Sequence, residues 1–168
     1  MATTHATQGM DENDAWMGPD IYKLEAVNPV AKSKYLELLK DKVTISEENG
    51  SEAQKWQIAY AGKENAKEET NLCFLLINVA SGNYLARSGG EHSVQGAVDS
   101  PKATGNTRWI LRNRTVKKEK ESTVQDGYVF YYGTKALGVK GGNSVELVHY
   151  DPKKEPEPEC LWKIVKAN

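Results

Sequence analysis

The chain has 168 residues, with 22 basic against 23 acidic side chains, a net charge of −1, 39% apolar and 8% aromatic residues, 14 Gly and 6 Pro. That composition fits one globular domain with a single core and supplies no basic field to condense on phosphates. No run approaches the ~18 consecutive apolar residues of a membrane span, so nucleic-acid binding and membrane insertion are both argued against.

Residues 1–20 are polar and acidic, with only Trp16 and Met17 suited to burial, and are expected to form a flexible tail. They show no basic flank followed by an apolar stretch, so no secretory leader is read. The cytoplasm is the expected compartment, and release by a non-classical route would be compatible with it. Cys73 and Cys160 are expected to be buried thiols rather than a bridge or a metal pair.

From residue 21 onward the pattern is β throughout. Ile21 to Val27 reads as a strand, and a turn from Asn28-Pro29 to Ser33 leads into Tyr35-Leu36-Glu37-Leu38. Val43-Thr44-Ile45 is the third strand, and Gln54-Lys55-Trp56-Gln57-Ile58 the fourth, with Ser51 to Lys55 as a candidate single helical turn. The same order returns with Leu72 to Val79, the turn Ala80-Ser81-Gly82-Asn83, Tyr84-Leu85-Ala86-Arg87, Ser93 to Val98 and Thr107-Arg108-Trp109-Ile110-Leu111. It returns again with Tyr128 to Tyr132, the turn Gly133-Thr134-Lys135, Ala136-Leu137-Gly138-Val139, Ser144 to Tyr150 and Cys160-Leu161-Trp162-Lys163-Ile164. Trp56, Trp109 and Trp162 are separated by 53 residues in both intervals, which is an internal repeat. Alternation at period two puts each indole on a buried face.

A four-stranded unit cannot bury both its faces alone. Three of them, closed about a pseudo-threefold axis, leave no exposed sheet edge. The expected fold is therefore an all-β β-trefoil, a single domain over residues 21–168 with units of about 21–62, 71–113 and 127–166. Charged stretches at Gly62 to Thr70, Arg112 to Thr123 and Asp151 to Glu159 read as surface loops, the first with a solvated helical turn as an alternative over Lys63 to Glu69. The run Lys117-Lys118-Glu119-Lys120-Glu121 mixes both signs and reads as a solvated connector. Gly89-Gly90 and Gly141-Gly142 fit hairpin tips, and the sequons Asn49-Gly50-Ser51 and Asn113-Arg114-Thr115 read as turns.

No enzyme emerges from the residues. His5, His92 and His149 have no metal-ligand spacing, there is no nucleophile elbow, and no Gly-rich loop joins a strand to a helix. Neither a metal nor a cofactor is expected.

The threefold Trp repeat, with Gln54-Lys55-Trp56 in the Gln-x-Trp form, resembles the ricin B-type lectin family. Gln54 to Gly62, followed by Phe74 to Leu85, is similar to small fungal agglutinins of the Sclerotinia type, and the likeness spans roughly residues 20–166. The resemblance implies a non-catalytic lectin, often dimeric, that binds galactose or N-acetylgalactosamine on glycans or glycoproteins. A homodimer would provide the two sites that agglutination requires.

Such a site needs a carboxylate to accept from two sugar hydroxyls, an aromatic ring under the pyranose, and an Asn or Gln to close the hydrogen-bond set. The first unit offers Glu37 at the carboxylate position, with Asp41, Glu48, Asn49 and Gln54 around it, but Thr44 where the ring belongs. The second has Ala86 and Ala97 at those positions and only Asp99 and Asn106 as polar candidates. The third offers Tyr150 as a platform beside His149, but Gly138 and Cys160 replace the carboxylate and the Gln. The expected site is therefore single and in the first unit, with His149 and Tyr150 as secondary candidates. A trefoil protease inhibitor acting through one of the three charged loops, and a protein-interaction trefoil without sugar affinity, are the alternatives.

Overall fold

The computed structural model describes residues 20–28, 31, 33–66, 69–88, 92–98, 105–118 and 123–167. Trp16 and Met17, with the tail reading of residues 1–19, lie outside them, as do Pro29, Gly89, Gly90, Asp99 and the Glu119 to Glu121 end of the mixed-charge run. Among the described residues there are twelve strands and no α-helix. In chain order these are β1 (Ile21–Ala26), β2 (Lys34–Leu39), β3 (Lys42–Glu47), β4 (Trp56–Ala66), β5 (Glu69–Asn78) and β6 (Tyr84–Arg87). They continue with β7 (Val94–Ala97), β8 (Trp109–Lys118), β9 (Thr123–Tyr132), β10 (Lys135–Lys140), β11 (Ser144–His149) and β12 (Trp162–Lys166).

Six of the strands close on themselves. β1 pairs with β4 (Tyr22 opposite Trp56), β4 with β5, β5 with β8 (Phe74 opposite Trp109), β8 with β9, β9 with β12 (Tyr128 opposite Trp162), and β12 returns to β1 (Ala26 opposite Trp162). Closure removes the free edges that an open sheet would present to other chains. The remaining strands form three hairpins, β2–β3, β6–β7 and β10–β11, each tied to the ring through its first strand. The hairpins also meet one another: Lys42 pairs with Gln95, and the Leu147 N–H donates to the His92 carbonyl at 2.8 Å. A six-stranded ring with three hairpins is the β-trefoil arrangement.

The interior follows from alternation. Tyr22, Leu24 and Ala26 of β1 and Val43 and Ile45 of β3 point inward, while their neighbours face out. Trp56, Trp109 and Trp162 are fully buried, and each indole N–H donates at 3.0 Å to a backbone carbonyl, those of Leu36, Leu85 and Leu137 respectively. An indole can be buried cheaply only if its N–H finds such an acceptor. Each Trp strand is preceded by a short 3-10 turn, at Glu52–Gln54, Gly105–Thr107 and Pro158–Cys160.

Two of the three charged stretches are not loops. Pairing continues along β4 and β5 from Trp56 opposite Asn78 to Ala66 opposite Glu69, with a bulge between Tyr60 and Lys63. It continues along β8 and β9 to Lys118 opposite Thr123. Charge alone misled the reading, because a strand that carries polar residues on both faces can still satisfy its backbone across a hairpin. For the same reason Asn113-Arg114-Thr115 lies within β8 and is not a turn. The third stretch, after Tyr150, does form a loop, closed by Asp151 accepting from the Lys153 N–H at 2.9 Å.

Candidate functional site

In β2 three consecutive residues, Leu36, Glu37 and Leu38, are buried. Leu36 and Leu38 belong to the main core. Glu37 points to the opposite face and is covered by the chain that runs from β3 through residues 48–55. A carboxylate there demands donors, since burial without them costs several kcal/mol.

The donors are supplied locally. The Ser46 hydroxyl donates to Glu37 Oε2 at 2.7 Å, and the Asn49 side-chain amide donates to Oε1 at 3.1 Å. Gln54, itself buried, donates to Ser46 Oγ and to the Glu47 carbonyl, both at 2.8 Å, while its Oε1 accepts from the Asn49 backbone N–H at 3.2 Å. Asn49 Oδ1 then accepts from the Ser51 N–H at 2.9 Å, and Ser51 Oγ caps the 3-10 turn by accepting from the Ala53 N–H at 3.0 Å. Gly50 sits at φ +71° between them, in the left-handed region that suits glycine. The result is a closed polar circuit, Glu37–Ser46–Gln54–Asn49, that pins the loop over β2 and β3.

Three of the five first-unit residues, Glu37, Asn49 and Gln54, therefore come together, but facing each other. Both oxygens of Glu37 are engaged inward. Asp41 stands apart at the β2–β3 tip, where its carbonyl accepts from the Gly96 N–H at 2.9 Å. Glu48 is exposed and forms an ion pair with Lys23.

Outside the pinned loop lies a cavity of about 360 Å³, bounded by Lys23, Glu48, Ser51, Gln54, Lys55 and Lys166 among others. Its cations come from three strands or their ends. Lys23 lies 5.2 Å from the centre of the Tyr35 ring, Lys55 pairs with Glu52 at 2.7 Å, and Lys166 pairs with Asp20 at 2.9 Å. The hydrogen bond from Lys166, aided by the Ile21 N–H, holds the Asp20 carboxyl below its ordinary range, and Asp20 in turn raises Lys166. Burial, then Glu25 and Glu48, push the Tyr35 phenol up.

Among the described residues the other two units carry no equivalent circuit. Ala86 is buried in β6 with no polar group to offer, Ala97 is partly buried and Asn106 is exposed. Beside Ala86, Arg87 stacks on Tyr132 (4.3 Å) and Trp109 (5.2 Å) and bonds to the Arg108 carbonyl. In the third unit the secondary candidate Tyr150 is not an open platform. Its ring is 2% exposed and packs against Tyr131 at 4.9 Å, and its hydroxyl accepts from Arg114 at 3.2 Å. The cause is apolar demand, since Tyr150 completes a cluster with Val129, Val148, Cys160 and Leu161. His149, its neighbour, is exposed, opposite Lys135 across the hairpin.

Sequence reasoning missed Ser46, Lys23, Tyr35, Lys55 and Lys166. Ser46 could have been found as the diagonal cross-strand neighbour of Glu37. Lys166 had no local signal, because only the pairing of β12 with β1 (Tyr22 opposite Lys166) brings it to the first unit. Among the described residues no group of three or more His, Cys, Asp or Glu is placed to hold a metal ion.

No family model matches the chain, and no curated protein matches its sequence. Its structure is similar to that of a mosquitocidal holotoxin, with a TM-score of 0.61 and 22% identity over 90% of this chain. It is similar to a designed 3-fold symmetric protein, ThreeFoil, with a TM-score of 0.58 and 18% identity over 88% of this chain. It is also similar to the GlcNAcα1-4Gal releasing endo-β-galactosidase from Clostridium perfringens, with a TM-score of 0.57 and 14% identity over 90% of this chain. The chain spans 99% of the designed protein but only 18% of the toxin and 34% of the galactosidase. At these identities the likeness establishes the fold alone.

Proposed function

We propose that this protein is a non-catalytic carbohydrate-binding trefoil of the ricin B type, with one site, in the first unit, and galactose-type glycans or glycoproteins as partners. The observation that carries the reading is the asymmetry of the three units. Among the described residues only the first has a carboxylate, two carboxamides and a hydroxyl gathered beside an open cavity, where the others have alanine or glycine at the carboxylate position. The galactosidase of like fold acts on a galactose-containing glycan, which agrees with this reading. Glu37 serves as the anchor of the 48–51 loop, and the cavity side of that loop meets the sugar. Cross-linking of cells would follow only if two copies associate.

A glycan array probed with the wild-type chain tests the proposal, with Ser51→Trp as a variant that blocks the cavity without touching Glu37. Binding to galactose-terminated glycans that the variant loses is the expected result. An array with no signal, or binding unchanged by the variant, would contradict it. Protease inhibition has less support, since two of the three charged stretches are paired hairpins rather than free loops.

A further inference from the structure

We infer that the first-unit cavity selects glycans that carry an anionic group, a sulfate ester or a carboxylate, through Lys23, Lys55 and Lys166; this rests on the carbohydrate-binding reading above and specifies its ligand.

A neutral sugar would find little to recognise there. Its hydroxyls seek a carboxylate with unused acceptor capacity facing outward, and its apolar face seeks a ring. Glu37 is 4% exposed with both oxygens turned to Ser46 and Asn49, and among the described residues that line the cavity none is aromatic. Neither element of neutral-sugar recognition faces the cavity.

The lining instead contains three lysines against one acidic residue, Glu48, with Ser51 and Gln54 as neutral polar neighbours. Glu52 and Asp20, the partners of Lys55 and Lys166, do not border the cavity. Each ammonium has three N–H donors, and each described ion pair uses one. The side chains of Lys23 and Lys55 are only 19% and 22% exposed, whereas Glu48 and Glu52 are 53% and 56% exposed. Lys23 and Lys55 are thus held in place on their stems while their counter-ions lie in solvent, and Lys166, 69% exposed, reaches the rim beside the 37% exposed Asp20; such solvent-facing pairs are weak and readily exchanged. An anion entering the cavity meets pre-positioned donors and loses little entropy in ordering them.

The position also explains the charge pattern of a chain whose net charge is only −1. Cationic character here is local. It is made by three segments distant in sequence, Lys23 in β1, Lys55 before β4 and Lys166 at the end of β12, that ring closure brings together.

The test is an affinity comparison between lactose and its 3′-sulfated and 3′-sialylated derivatives, run at low and high salt. The variants are Lys55→Ala/Lys166→Ala, Lys166→Glu, and Lys153→Glu as a control of equal charge change away from the cavity. The derivatives should bind the wild type at least about tenfold more tightly than lactose, the difference shrinking as salt screens it. The double variant and Lys166→Glu should lose that preference while unfolding at the wild-type temperature, and Lys153→Glu should keep it. A preference limited to one derivative would identify sulfate or carboxylate as the anion. Lactose binding equal to that of both derivatives, or a preference that survives in the double variant, would overturn the inference and leave the carbohydrate reading standing. Binding of no saccharide would overturn both.

Discussion

The first and third units place a β-hairpin, a 3-10 turn and a tryptophan strand in the same arrangement, yet fill the space between them in opposite ways. Under the first turn lie Glu37, Ser46, Asn49 and Gln54, joined by hydrogen bonds. Under the third lie Gly138, Val148, Tyr150 and Cys160, packed without polar side-chain links to one another apart from the Tyr150 hydroxyl reaching Arg114. The backbone does not require either solution. A repeated fold leaves one polar unit free to acquire a ligand while another becomes core, and the choice is written in four side chains.

Exchange of parts between these units should break the comparison most severely in one direction. Gly138→Glu introduces a Cβ that would lie 2.8 Å from Val148 Cγ2 and 3.0 Å from the Glu159 carbonyl oxygen, and a carboxylate with no donors near it. A destabilisation of about 3–5 kcal/mol in chemical denaturation is expected, or failure to fold. A fully stable variant would show that the third unit can supply donors after all.

Removal of the anchor from the first unit comes next. Glu37→Ala strands the Ser46 hydroxyl and the Asn49 amide, and should cost about 1–3 kcal/mol. Adding Ser46→Val and Gln54→Cys, to mimic the third unit, should recover part of that loss, because an apolar set replaces a broken polar one. Strict additivity of the three losses would contradict a coupled circuit.

Cys160 offers a smaller test of the apolar side. Burial, followed by Glu159 and Glu157, pushes its thiol from 9.0 up to about 12. Between these values the unfolded chain loses the proton while the folded chain keeps it. Its contribution to stability is therefore complete below pH 9 and falls as pH rises towards 12. The decline measured for wild type should be shallower in Cys160→Ala, and the native thiol should resist alkylation at pH 8. Equal slopes in both proteins would oppose this reading.

The hairpin tips should differ least. Lys40 adopts φ +60° in the first unit, where Gly141 adopts φ +64° in the third. Lys40→Gly should therefore stabilise the chain by up to about 1 kcal/mol, read as a raised melting temperature. A loss of stability there would mean that the lysine side chain contributes more than its backbone strain costs.

The all-β class was legible because tryptophan announces itself. A residue of that size recurring with a β-rich flank has to be inside, and closing three such units disposes of the edges. The polar circuit was partly legible, since Glu37, Asn49 and Gln54 were picked out by residue type. Their direction was not, because alternation says that Glu37 opposes Leu36 but not that residues 48–55 fold over it. Tyr150 stood as a secondary platform candidate because the packing that closes it off comes from Tyr131, 19 residues earlier in the chain and across the sheet. The lysine-lined cavity was invisible in principle, since it exists only when β12 closes on β1.

The most direct measurement is an amide-resolved NMR titration of the intact chain with 3′-sulfated lactose. Shifts confined to Lys23, Gly50, Ser51, Lys55 and Lys166 are expected, with those around Gly138, His149 and Cys160 unmoved. Perturbations centred on the third unit, or none at saturating saccharide, would contradict the assignment of the binding site to the first.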